Sequence, residues 1–168
     1  MRRCLTLLLA LGLATLSACG QGTSSEPSGD GTNGDAEELK EEESEVNGVN
    51  VSVSAETVGD QIEATITLTN TTDQDVHFQF SSGQQYELIL KNEAGDTVYR
   101  YSDDKMFTMA LIDETLAAGE SKTWTESIPA GDLESGTYTL LAEVVVAAVD
   151  GESVPKPSPY KAQTTVIK

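Results

Sequence analysis

From Val46 onward the chain alternates apolar and polar residues with a period of two, and that period decides what it can fold into. Val49, Val51, Val53 and Ala55 alternate with Asn50, Ser52 and Ser54, and Ile62, Ala64, Ile66 and Leu68 alternate with Glu63, Thr65, Thr67 and Thr69. Successive side chains of a strand point to opposite faces, so this pattern predicts half-buried strands. Val76, Phe78 and Phe80 repeat it, with Asp75, His77 and Gln79 facing water. The intervening Asn70-Thr71-Thr72-Asp73 is turn chemistry and predicts a hairpin.

Further strands are expected over 85–91, 97–102, 122–128, 138–149 and 162–167, with turns at Ser82-Gly83, Glu93-Ala94-Gly95-Asp96, Ala118-Gly119-Glu120 and Glu134-Ser135-Gly136. Segment 106–116 is ambiguous between a short helix capped by Asp103 or Asp104 and an extended run. The surrounding strands favour the extended reading. About eight strands, each with one apolar face, need a second sheet to cover them, which predicts an all-β antiparallel sandwich. Residues Asp132 to Tyr138 have the form of a tyrosine corner, in which a Tyr at a strand's start bonds back to the preceding connection. That feature favours an immunoglobulin-like sandwich over a barrel. The apolar run 142–149 is expected to be covered by the C-terminal strand 162–167.

The first 18 residues read as an export signal. Arg2 and Arg3 precede an apolar core from Leu5 to about Leu16, too short to span a bilayer, and small residues follow. Leu16-Ser17-Ala18-Cys19 resembles the lipobox of bacterial lipoproteins. That resemblance implies cleavage before Cys19, a diacylglyceryl group on its thiol, and a location at the cell membrane facing outside the cytoplasm. Two acyl chains hold a protein stably where one would not. Residues 19–45 are Gly, Ser, Thr, Asn, Asp and Glu with Leu39 as the one sizeable apolar residue, the composition of a disordered acidic tether. The expected organisation is therefore signal peptide 1–18, linker 19–45 and sandwich domain 46–168.

Composition excludes several function classes. Cys4 falls in the leader and Cys19 takes lipid, so no disulfide framework or cysteine metal site is available to the domain. Net charge is −18, and loss of Arg2 and Arg3 takes it to −20. Such a polyanion is unsuited to nucleic acid and is repelled by anionic lipid headgroups, leaving the lipid as the membrane contact. The single histidine, His77, has no G-x-S-x-G or other nucleophile motif beside it and reads as a surface strand residue. Asp73 with Asp75 and Asp103 with Asp104 lack ordered metal-ligand spacing. No cofactor, metal or catalytic residue is assigned, and the chain is expected not to be an enzyme. Asn70-Thr71-Thr72 matches a glycosylation sequon but is read as a turn.

Phe80-Ser81-Ser82-Gly83-Gln84-Gln85-Tyr86-Glu87-Leu88, then Gly95-Asp96-Thr97-Val98-Tyr99-Arg100-Tyr101-Ser102, then Phe107, Leu116-Ala117-Ala118-Gly119-Glu120-Ser121, Trp124 and Gly136-Thr137-Tyr138 carry a more specific signal. Together, over about residues 46–150, they resemble the BsuPI-type intracellular proteinase inhibitor domain. The resemblance implies a fold shared with inhibitors of subtilisin-like serine proteases and, for an exported chain, a secreted or surface protease as partner. Many relatives carry tryptophans around the arginine, where this chain has Tyr99 and Tyr101. Gly83 and Gly95 are expected at positive φ, and Tyr99 and Tyr101 on one strand face. Arg100 is expected in a cross-strand ion pair. No residue of the chain is matched to a reactive site. Exposed candidates are 102–105 and the proline-rich 154–160. The alternative is a non-inhibitory binding module docking on another envelope protein or a polysaccharide.

Overall fold

The computed structural model describes residues 42–168. These form twelve strands and, among the described residues, no helix. In chain order they are β1 (Ser44–Val46), β2 (Val49–Val58), β3 (Gln61–Asn70), β4 (Val76–Phe80), β5 (Tyr86–Lys91), β6 (Thr97–Arg100), β7 (Ile112–Leu116), β8 (Ser121–Pro129), β9 (Thr137–Val144), β10 (Ala148–Val149), β11 (Glu152–Ser153) and β12 (Lys161–Ile167). All pairings are antiparallel, in three four-stranded sheets ordered β1-β2-β3-β8, β12-β9-β5-β6 and β11-β10-β4-β7. The period-two pattern does what it should: Val49, Val51, Val53, Ile62, Ile66, Leu68, Phe78, Phe80, Leu88, Leu90, Leu140 and Val144 are buried in one core. The all-β sandwich architecture is therefore as expected, with short strands added to the expected eight.

The second and third sheets are two ends of one layer. β9 and β10 belong to one chain segment and pair in turn with β5 and β4, with the Val145 N–H donating to the Gln85 carbonyl (2.9 Å) and the Ala147 N–H to that of Gln79 (2.7 Å). Gln79 opposes Ala148 and Tyr86 opposes Val144. The six residues between Gln79 and Tyr86 thus face the three between Val144 and Ala148, and the surplus bulges out within Ser81 to Gln85. Such an insertion breaks the ladder. For this reason the single strand expected over 138–149 is two, β9 and β10.

The hairpin expected at Asn70-Thr71-Thr72-Asp73 does not form. β3 pairs with β2 and β8, while β4 pairs with β7 and β10, so this connection crosses between sheets. Asn70 makes the crossing. It is fully buried, and its Nδ2 donates to the carbonyls of Gln74 (2.7 Å), Leu116 (3.0 Å) and Ala117 (3.0 Å). Its Oδ1 accepts from Thr72 N–H (3.0 Å) and Thr72 Oγ1 (2.7 Å), an Asx turn. The sequon is a turn, as expected, with Asn70 buried, Thr71 exposed and Thr72 half-buried.

The tyrosine corner is present: Tyr138 Oη donates to the Glu134 carbonyl at 2.8 Å. The C-terminal strand β12 pairs with β9 along its length, from Lys161 opposite Glu143 to Ile167 opposite Thr137. Two short hairpins fall outside the expected strands. Asn47-Gly48 (φ 52° and 74°) joins β1 to β2, and Asp150-Gly151 (φ 50° and 80°) joins β10 to β11. Both residues of each pair take the positive φ that a type I′ turn demands. β1, together with a bridge from Glu42 to Gln163, brings residues 42–45 into the sheets, so ordered structure starts before the expected linker boundary at 45.

Candidate functional site

The bulge at Ser81 to Gln85 organises one corner of the sandwich. Within it, Ser82 Oγ accepts from the Gln84 N–H (3.2 Å), and Gln84 Nε2 donates to Glu87 Oε2 (3.1 Å). The other oxygen of Glu87 accepts from the backbone N–H groups of Ser102 and Leu88, both at 3.2 Å. The Gly83 N–H donates to the Thr108 carbonyl at 2.8 Å. Bulge and β5 therefore grip the segment after β6 at two points, Ser102 and Thr108. Gly95 has the expected positive φ, but Gly83 does not. Its constraint is close approach instead, because a Cβ there would meet Thr108 Oγ1 at 2.7 Å and displace that side chain.

Aromatic side chains complete the grip. Tyr86 packs on Tyr101 with ring centroids 4.4 Å apart, Tyr101 on Phe107 at 5.9 Å and Tyr86 on Trp124 at 5.8 Å. Lys105 Nζ lies 3.8 Å from the Tyr101 ring centre and 2.8 Å from Glu126 Oε1. Glu126 also accepts from Tyr86 Oη (3.2 Å), and Trp124 Nε1 donates to Gln85 Oε1 (3.1 Å). Burial first, then Tyr101 and Glu126, raises the Tyr86 phenol far above its ordinary value. Burial followed by the Glu126 charge pushes Tyr99 up to about 12. Both therefore stay neutral as hydrogen-bonding groups at any physiological pH.

Magnitudes show what this achieves. Aromatic pairs contribute about 0.5–1.5 kcal/mol each, the cation over Tyr101 about 0.5–1, and the Gly83–Thr108 hydrogen bond about 1. Together, at about 3–6.5 kcal/mol, they equal or exceed the roughly 2–4 kcal/mol of a typical disulfide. A domain without a cysteine pair thereby holds a surface segment in place.

The segment so held, 102–111, leads into β7 and exposes apolar side chains: Met106 is 101% exposed, Met109 92% and Leu111 67%. Phe107 alone of the run turns inward. Neither helix nor strand forms over 105–111, and of the extended run expected across 106–116 only β7 joins a sheet. The signal in the sequence was the uncharged run from Met106 to Ile112, flanked by Asp103-Asp104 and Asp113-Glu114, with no polar alternation to bury half of it.

The residues singled out from the sequence are placed as follows. Cys19 lies outside the described residues. Tyr99 and Tyr101 both pack against the core, but Tyr101 lies just beyond β6, its N–H donating to the Leu88 carbonyl (2.9 Å). Arg100 pairs with Asp103, three residues on, at 3.8 Å, and not across strands. With both side chains exposed, that pair contributes little. His77 sits on the outer face of β4, its Nδ1 2.8 Å from Thr115 Oγ1. Of the two exposed candidates, 102–105 forms the entry to the gripped segment. The other, 154–160, is tied down: Ser158 and Tyr160 are buried, the Ser158 N–H donates to Glu143 Oε1 (2.9 Å), and the Val144 N–H donates to the Tyr160 carbonyl (2.8 Å). Among the described residues no group of three or more His, Cys, Asp or Glu is placed to hold a metal ion.

Comparison with known proteins adds the family. No curated protein matches the chain. Among solved structures it is similar to the yjhA protein from Bacillus subtilis, at 16% identity over 64% of this chain and 82% of that one, with a TM-score of 0.36. It is also similar to a penta-heme cytochrome c552 from Thermochromatium tepidum, at 10% identity over 61% of this chain and 38% of that one, again with a TM-score of 0.36. Likenesses this distant say nothing of function. The BsuPI family, described as intracellular proteinase inhibitor, matches residues 49–149, a span that takes in the bulge, the aromatic grip and the whole exposed segment and ends before the proline-rich one. The chain belongs to the BsuPI proteinase-inhibitor family.

Proposed function

We propose that this protein is a lipid-anchored inhibitor at the cell surface, whose sandwich binds and restrains a secreted or surface serine protease of the subtilisin type. The observation that carries the reading is the gripped segment 102–111. An inhibitor must present an extended stretch to the enzyme and keep it rigid, since ordering a mobile loop on binding would cost affinity. Here side chains of the family-matched region supply that rigidity without a disulfide. Membership in an inhibitor family also fits a non-enzymatic role. The anchor reading is supported by Leu16-Ser17-Ala18-Cys19, and the acidic stretch behind it serves as a spacer.

The test is titration of the chain from residue 20 onward against subtilisin, following residual activity and the chain's mass. Stoichiometric inhibition with an intact chain is expected. Absence of inhibition, against subtilisin and against proteases secreted by the source cells, would refute the inhibitory reading and leave a binding module. Incorporation of labelled fatty acid, lost in Cys19→Ala, tests the anchor separately.

A further inference from the structure

Resting on the inhibitory reading, we infer that Met109 is the side chain that enters the primary specificity pocket of the restrained enzyme. The partner is then an endopeptidase whose pocket takes an unbranched apolar residue. Three observations single out this position. Thr108 to Leu111 is a contiguous exposed stretch, so an enzyme cleft can enclose it on both sides of Met109. The residue just before it is fixed, because the Thr108 carbonyl is held by the Gly83 N–H at 2.8 Å. Among the described residues, the backbone groups of Met109 and Ala110 make no hydrogen bond in a turn, loop or strand, which leaves them free to pair with a cleft as an added strand.

Met106 is equally exposed but differently placed. It stands between Lys105, drawn to Glu126 and the Tyr101 ring, and Phe107, packed on Tyr101. Both neighbours face the body, so a cleft cannot close around it. The chemistry of the run also excludes other pockets. From Met106 to Ile112 there is no charged side chain, so enzymes that require a basic or acidic residue have nothing to bind. The cost of leaving Met109 in water is unexplained by packing, since it touches neither the core cluster nor the aromatic grip.

The experiment compares the chain from residue 20 onward with Met109→Ala, Met109→Lys and Met106→Ala, each titrated against subtilisin and trypsin, with the inhibitor's mass checked afterwards. Truncating the pocket residue is expected to weaken subtilisin inhibition about 10–200-fold, whereas Met106→Ala stays within about tenfold. Met109→Lys is expected to inhibit trypsin, and the wild type is expected not to, because the trypsin pocket carries a carboxylate. A gain of inhibition cannot come from a misfolded variant. Wild-type inhibition of subtilisin that survives both Met109 substitutions, with trypsin still unaffected, overturns the assignment and leaves the inhibitory reading standing. A wild type that inhibits neither subtilisin nor any protease secreted by the source cells overturns both.

Discussion

Asn70→Ala is predicted to be among the most destabilising single changes in the domain, although it removes a polar residue from a sequon-like surface motif. The native side chain is fully buried. Its two N–H hydrogens are shared among three carbonyls, of Gln74, Leu116 and Ala117, and its oxygen accepts twice from Thr72. Counting its two N–H hydrogens and its two accepted bonds at about 1 kcal/mol net each sets the scale at about 4 kcal/mol. Water can recover the part-buried Gln74 and Ala117 carbonyls, but the Leu116 bond is buried, so about 3 kcal/mol is the expected loss. Against a total of about 5–15 kcal/mol for a domain, that is a large fraction. Urea unfolding followed through Trp124, the single tryptophan, measures it directly. Asn70→Asp keeps the shape and the acceptor but turns a carboxylate toward the three carbonyls. It should cost at least as much at pH 7 and recover in part under acid, where a protonated carboxyl donates once. An Asn70→Ala chain within about 1 kcal/mol of wild type would refute the claim that this side chain holds the crossing between sheets.

Two further predictions concern the gripped segment and pH. Gly83→Ala should weaken both stability, by about 1–3 kcal/mol, and inhibition, because its Cβ would meet Thr108 Oγ1 at 2.7 Å. Adding Thr108→Ala, which removes that oxygen, should restore part of the loss, and strictly additive effects in the double-mutant cycle would contradict the contact. The Tyr99 phenol, pushed up to about 12 by burial and then by Glu126, should titrate spectrophotometrically well above the ordinary value near 10. A phenol whose folded pKa is raised stabilises the fold fully below about pH 10, and that contribution is lost as pH rises through about 12, so alkaline unfolding in that window is expected. A Tyr99→Phe chain with an unchanged alkaline transition would argue against it.

What could be read from the residues was what local chemistry controls. Alternation at Val49 to Ala55 and Ile62 to Leu68 assigns strands and their buried faces without any knowledge of partners, because side-chain direction is a property of one strand. Tyr138 with Glu134 was legible for the same reason, since the corner closes within a few residues. Asn47-Gly48 and Asp150-Gly151 are equally local, and their type I′ turns lay in plain chemical view.

Partner choice was not local, and there the tertiary structure decided. Whether Asn70 closes a hairpin or crosses between sheets depends on carbonyls of Leu116 and Ala117, far along the chain. The break between β9 and β10 follows from a surplus of residues on the opposing strand, which no pattern within 138–149 records. The crowding at Gly83 comes from Thr108 on another segment, not from a backbone angle. Met106, Met109 and Leu111 stand in water while Tyr101, Lys105 and Phe107 are drawn toward Tyr86 and Glu126. Sequence alone determined the strands and the faces they bury, because those depend on each residue and its neighbours. Only the assembled sandwich decided which edges meet and which loop is left exposed, because those depend on contacts between residues distant in the chain.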